Sequence, residues 1–317
     1  MSKAASKADW EMIPRKVDFK WDVSPLQWIP QDPFASHGIN HFSFTLVRGE
    51  FFFCRMLNQA LPYITDEKLK QDAKIFIRQE AIHSQAHKVS IDEYLVRYGV
   101  NTTEQYQRVV KIFDNFLLDD PLGYKLPKRL QRGWLNLRVG VVAAAEHFTS
   151  GLGQYVLTRS HWEARGCDPV VSDLFTWHSA EEVEHRTVAF DVYQNICGNY
   201  ALRALVMGIT APLFTYLMAA GTVQLAMHDS SIPKKQKSIW RPAFWKAWHH
   251  SDLNSYVPGP LWYLVTTLRY FKPSYHPYYE ASTELAQAYL SQSKGVVDNQ
   301  QTSQVSKKQE VAQQVNA

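Results

Sequence analysis

Cysteine is scarce. Cys54, Cys167 and Cys197 are the only three in 317 residues, and no two stand at a Cys-x-x-Cys spacing. A disulfide-stapled scaffold and a zinc ribbon are therefore excluded, and the usage suits a reducing compartment. A large excess of charge of one sign is also lacking: 34 Lys and Arg face 30 Asp and Glu, a formal net charge of +4. That balance carries no footprint for nucleic acid, although its sign suits an anionic membrane surface. The first 18 residues hold no apolar stretch of the kind a secretory signal needs, so a cytoplasmic location is expected. Convincing strand patterns are missing as well. With 45% hydrophobic and 20% charged residues, the chain is nonetheless ordinary globular material.

What the chain does have is helical periodicity. Residues 1–33 read as an irregular N-terminal arm carrying Trp21, Pro25, Trp28, Pro30 and Pro33. Long helices are expected over about 41–59, 65–98, 131–160 and 169–197, with a shorter one over 103–118, and Gly99 and Gly198 act as stop signals. Segment 34–200 is thus expected to be an antiparallel bundle, extended by apolar and aromatic helices over 201–290. Ala204 to His228 runs 25 positions without Asp, Glu, Lys or Arg, long enough to cross or dip into a bilayer, with a buried helix or helical hairpin of the fold as the other reading. Arg203 precedes it and Lys234, Lys235 and Lys237 follow. The Gln- and Ser-rich stretch 291–317 reads as a disordered tail.

The 12 histidines carry the functional argument. On each long helix an acidic residue stands inside an apolar stripe: Glu50 with Leu46, Phe53 and Leu57; Glu80, His83 and His87 with Phe76; Glu146 with Val139 and Val142; His178, Glu182 and His185 with Val171 and Ala189. Buried carboxylates without partners are costly, and four that converge require positive charge between them. The order along the chain is Glu, Glu-x-x-His, Glu, Glu-x-x-His, with both members of each pair on one helix face. This is the ligand pattern of ferritin-like dinuclear metal bundles, and the expected fold is all-α, a ferritin-like four-helix bundle with additional C-terminal helices. The metal ligands expected are Glu50, Glu80, His83, Glu146, His178, Glu182 and His185, with Glu80 and Glu182 bridging. His87 stands one turn beyond His83, either orienting a ligand or touching metal. Glu181 is the alternative to Glu182 if the register shifts by one. Arg48, Arg78 and Arg186, beside the ligands, are candidates for neutralising charge.

Three segments, Arg48-Gly49-Glu50, Arg78-Gln79-Glu80-Ala81-Ile82-His83 and Trp177-His178-Ser179-Ala180-Glu181-Glu182-Val183-Glu184-His185, resemble a bacterial family described as predicted metal-dependent hydrolases, over about residues 34–289. The ligand order is also similar to that of ferritin-like di-iron oxygenases of the arylamine N-oxygenase type. There an extra histidine precedes the last Glu-x-x-His by four residues, the place that His178 holds here.

Carboxylate-rich sites with one imidazole per metal suit two Fe ions, with Mn as the alternative. The first expectation is an oxygen-dependent oxidation (hydroxylation, desaturation or N-oxygenation) of a small hydrophobic or aromatic substrate, served by an electron-donor protein. The alternative is a hydrolase using a metal-bridging hydroxide, with Glu181 or Glu184 as catalytic base. Iron storage is the third class, and the long extension after the bundle argues against it. The partners this admits are the substrate, the electron donor, the inner membrane through 204–228, and a second copy of the chain in a homodimer.

Overall fold

The computed structural model describes residues 10–297. Asp32 and Pro33 form a cap and first-turn pair, with the Asp32 carboxylate accepting from the Ala35 N–H, so helix α1 spans Pro33–Ala60. It starts eight residues before the periodicity suggests, because Pro33 and Gly38 read as loop residues out of context. Helix α2, Glu67–Glu93, is capped by Asp66, which accepts from the Leu69 N–H; Gly99, at φ +72°, closes the turn that follows it. Helix α3, Thr102–Val110, runs on in a wider turn to Phe116. Helix α4 spans Lys128–Tyr155, and α5, Pro169–His185, is capped by Asp168. The single helix expected over 169–197 is broken after His185. The Arg186 guanidinium takes the carbonyl of Val183, which a continuing helix would give to the Thr187 N–H, and α6 resumes over Val188–Ile196. The remaining helices are α7, Tyr200–Ala226, with Pro212 inside it, α8, Pro242–Leu253, α9, Pro260–Tyr270, and α10, Thr283–Leu290.

The fold is all-α. Among the described residues the only extended pairing is an isolated antiparallel bridge between Val17 and Val296. Helix α1 packs on α2 and α4, and α5 packs on both of these in turn, so the four helices form a closed ring of packed pairs. Helix α7 covers the outer side of α1 and α4, α9 lies over α7 and α4, and α10 lies on α5. One apolar cluster, around Trp28, Phe44, Leu174 and Trp177, fills one end of the bundle. A second, around Met56, Leu57, Phe76 and Val139, fills the other. A third, around Phe148, Phe214, Phe244 and Tyr263, fastens α7, α8 and α9 to α4.

The N-terminal arm has no regular helix from Trp10 to Asp32, yet it is built into the core. Trp28 is fully buried and Trp21 stacks on Tyr94 with ring centroids 5.5 Å apart. The tail expected to be disordered from 291 is ordered as far as 297. Ser293 Oγ and the Gly295 N–H both donate to Asp173, and the Val297 N–H donates to the Lys16 carbonyl. Residues 298–317 of that segment lie outside the described residues.

Candidate metal centre

The four helices of the bundle each deliver an acidic residue to the interior. Two adjoining groups result, each with its donor atoms within 4.8 Å of one another: Glu50, His83, His178 and Glu182, then Glu80, Glu146, Glu182 and His185. All seven side chains are buried. In the first group His178 Nε2 lies 3.1 Å from Glu182 Oε1 and 3.6 Å from Glu50 Oε1, and His83 Nδ1 lies 3.6 Å from Glu182 Oε1. In the second, His185 Nε2 lies 3.3 Å from Glu80, 3.4 Å from Glu182 and 3.5 Å from Glu146. Ligands at right angles around an ion with bonds of about 2.1 Å stand about 3 Å apart, so the spacing fits coordination. Glu182 is shared between the groups, as expected of a bridging carboxylate. Glu80, expected to bridge as well, belongs to the second group alone.

Hydrogen bonding supplies the test of whether these residues fit a metal. Both oxygens of Glu50 and of Glu80, Glu146 Oε2, His83 Nδ1, His178 Nε2 and His185 Nε2 are buried without a hydrogen-bond partner. Buried polar atoms are ordinarily satisfied, and orphans gathered at one point need a common partner. Burial also pushes the carboxyls of Glu50, Glu80 and Glu146 well above the usual carboxylate range, and the neighbouring Glu182 adds to each shift. Glu182 is held low, because His185, His178 and His83 together outweigh its burial. Cations between the groups would reverse this reluctance to ionise. Oxygen and imidazole nitrogen donors without any thiolate suit divalent metal ions.

A second layer fixes the ligands. His83 Nε2 is 2.9 Å from Glu181 Oε2, and Arg15 Nη1 donates to Glu181 Oε1 at 2.9 Å and to Glu184 Oε2 at 2.7 Å. Arg15 Nη2 completes the fork on Glu184 Oε1, Gln79 supports Glu184 from α2, and Trp10 Nε1 donates to the Glu184 carbonyl. His178 Nδ1 lies 3.0 Å from His87 Nε2, whose other nitrogen lies 3.1 Å from Ser43 Oγ. His87 therefore orients His178 and takes no place in either group. Thr149 Oγ1 donates to Glu182 Oε2 and stands beside Glu146.

Two expectations meet a different geometry. Glu181 and Glu184, expected as the base of a hydrolase, belong to neither group, and their oxygens are engaged by His83, Arg15 and Gln79. The charge that neutralises them comes from Arg15 of the arm. Arg48 instead faces Asp114 near the surface at 3.5 Å, Arg78 is exposed, and Arg186 binds the Tyr278 carbonyl and Thr283. Arg15 escapes sequence reading because its partners lie more than 160 positions away and leave no local pattern.

Two apolar cavities reach the centre. One, of about 380 Å³, is bounded by Phe53, Phe113, Val141, Leu213 and Phe214 and ends on Glu50 and Thr149. The other, of about 80 Å³, lies among Ile39, Leu152, Phe175 and Met218 and meets His178 and Thr149. Trp177 stands edge-on to His83 and Phe76 packs on His185, so aromatic rings close the site at both ends of the bundle.

The sequence pattern of the family described as predicted metal-dependent hydrolases matches residues 13–281 of this chain. No curated protein and no solved structure matches it.

Proposed function

Because the chain belongs to the family of predicted metal-dependent hydrolases, we propose that it is a dinuclear metal enzyme that hydrolyses a hydrophobic small molecule. The observation that carries this reading is the pair of buried donor groups that share Glu182 and leave their inward atoms without hydrogen bonds. Two divalent ions, iron or manganese, would supply a Lewis acid and a coordinated water acidic enough to react near neutral pH. Glu50, His83, His178 and Glu182 would hold one ion, and Glu80, Glu146, Glu182 and His185 the other.

The chain's own part is positioning and exclusion of water. Glu181 and His87 fix the rings of His83 and His178, and Thr149 fixes Glu182. With Nε2 of His178 facing the ion, its Nδ1–H donates to His87 Nε2, and the His87 Nδ1–H donates to Ser43. That chain can pass a proton from the centre toward α1. The apolar walls of the larger cavity receive an acyl or alkyl chain, leaving its polar group beside Glu50 and Thr149.

One observation favours a second chemistry. The cavities are walled almost entirely by apolar side chains, and seven carboxylate and imidazole ligands are more than hydrolysis requires. Oxygen-dependent oxidation of the same hydrophobic substrate would use such a dry site, and would need an electron donor. The experiment that separates them gives the iron- or manganese-loaded chain 4-nitrophenyl esters of increasing acyl length, without dioxygen or reductant. Anaerobic release of nitrophenolate that is lost in Glu182→Ala supports hydrolysis. An inert anaerobic protein that consumes dioxygen with a reductant and a hydrophobic substrate contradicts it in favour of oxidation.

A further inference from the structure

Helix α7 has two unlike faces. Val206, Met207, Ala211, Phe214 and Leu217 are buried where it packs on α1 and α4, while Leu205, Ile209, Pro212 and Tyr216 form a stripe open to solvent. Helix α9 repeats this: Tyr263, Thr266 and Tyr270 point inward, and Leu261, Leu264, Val265 and Leu268 point out, Leu261 at 69% exposure. Outward aliphatic side chains at i, i+3, i+4 and i+7 reverse the usual arrangement of a surface helix. The two stripes form one surface, because Pro212 and Tyr216 of α7 and Leu264 of α9 bank a single groove, together with Trp245 of α8. A continuous apolar face of this kind marks an interaction site.

We propose that this face docks on the headgroup and upper acyl region of an anionic lipid membrane. Charge and aromatic placement select that occupant. From residue 200 to 275 there are eight Lys and Arg against two Asp and Glu. Lys234, Lys235 and Arg241 are exposed in the segment that leads from α7 into α8, Lys246 is exposed on α8, and Lys272 is exposed just past α9. Trp240, 89% exposed, and Trp245 stand at the rim, where amphipathic rings settle at a bilayer interface. Helix α7 is long and apolar enough to span, with half of its most apolar window buried inside the fold. A span would strip it from α1 and α4, and Arg203 at its start is tied to the carbonyls of Tyr270 and Lys272. The helix therefore lies on the membrane with one stripe in lipid.

The position also suits the cavity. Leu205, Ile209 and Leu213 of α7 and Phe116, itself exposed, line the larger cavity that ends on Glu50. A molecule dissolved in lipid would reach the centre between α7 and the segment around Phe116 without crossing water. The docking itself does not depend on the chemistry at the centre.

The test is flotation of the full chain with vesicles of phosphatidylglycerol mixed with phosphatidylcholine, beside vesicles of phosphatidylcholine alone. The wild type is expected to float with the anionic vesicles and to bind the neutral ones more weakly. Leu264→Glu with Leu268→Glu, both exposed positions, should weaken binding by about tenfold or more while melting temperature and metal content stay unchanged. Lys234→Glu with Lys235→Glu should remove the preference for anionic lipid. A wild type that binds neither vesicle, or binding that the leucine substitutions leave intact, overturns the proposal. So does a vesicle-inert dimer that Leu264→Glu and Leu268→Glu split, which would make the face an interface between copies. None of these readouts uses catalysis, so failure here leaves the hydrolase reading untouched.

Discussion

At the scale of single residues, chemistry is decided by which buried atoms are left unpaired. The orphaned oxygens of Glu50, Glu80 and Glu146 face the orphaned nitrogens of His83, His178 and His185, and ions are the partner that satisfies all of them. Arg15 shows how far the support reaches. Its planar fork spans Glu181 and Glu184, and Glu181 holds His83. Arg15→Lys keeps the charge and loses the fork, so metal affinity, measured by competition with a chelator, should fall by about tenfold to hundredfold. Unchanged affinity would detach the arm from the centre. His41 gives a pH prediction away from the metals. Burial lowers its pKa to about 4, although Gln105 Oε1 accepts a hydrogen bond from its Nδ1–H. The unfolded chain binds that proton below about pH 6.5 and the native one does not until about pH 4. Stability due to this group is therefore complete above about pH 6.5 and declines as the pH falls toward 4. Over that window the melting temperature should fall less steeply in His41→Gln than in the wild type; identical slopes would contradict the assignment.

At the scale of elements, the register between helices sets the ligand geometry. Gly153 of α4 lies against the backbone carbonyl of Ser179 on α5, where a Cβ would collide with an atom unable to yield. This close approach brings Glu146 of α4 near Glu182 and His185. Gly153→Ala should push the helices apart, at about 1–3 kcal/mol in stability and with loss of metal from the second group first. A variant that keeps wild-type melting and metal content would show that the two helices have slack. Much of this level was legible in the sequence. The i, i+3 pairs Glu80–His83 and Glu182–His185 mark a single helix face however the ends fray, and the seven positions do converge. Helix ends were less so: Asp32 with Pro33 begins α1 inside what reads as irregular arm, and the break after His185 depends on the Arg186 side chain. Contacts such as Arg15 with Glu184 or Gly153 with Ser179 join distant segments and have no periodic signature.

At the scale of the whole molecule, the helices enclose a charge problem that metal ions would resolve. Without ions, four buried carboxylates and three imidazoles share one dry space, so binding should stabilise the fold strongly. At a metal concentration about 100 times the dissociation constant, the gain is about 2.7 kcal/mol per site. The wild type should show a matching rise in melting temperature, which Glu182→Ala should lack. The helices after residue 200 add what a bundle alone does not have: a cover over α1 and α4, one wall of the larger cavity, and the apolar face proposed to meet lipid. A segment that reads as a candidate membrane span is thus, in three dimensions, half core and half surface, because its two faces meet different neighbours.

The central claim is that two ions share Glu182. The most direct test is the metal content of the full-length chain after anaerobic loading with Fe(II) or Mn(II) and removal of the excess. The wild type is expected to hold about two ions per chain, Glu146→Ala about one or fewer, and Glu182→Ala almost none. A correctly folded wild type that holds less than one ion under any loading, or a Glu182→Ala variant that keeps both, would contradict it.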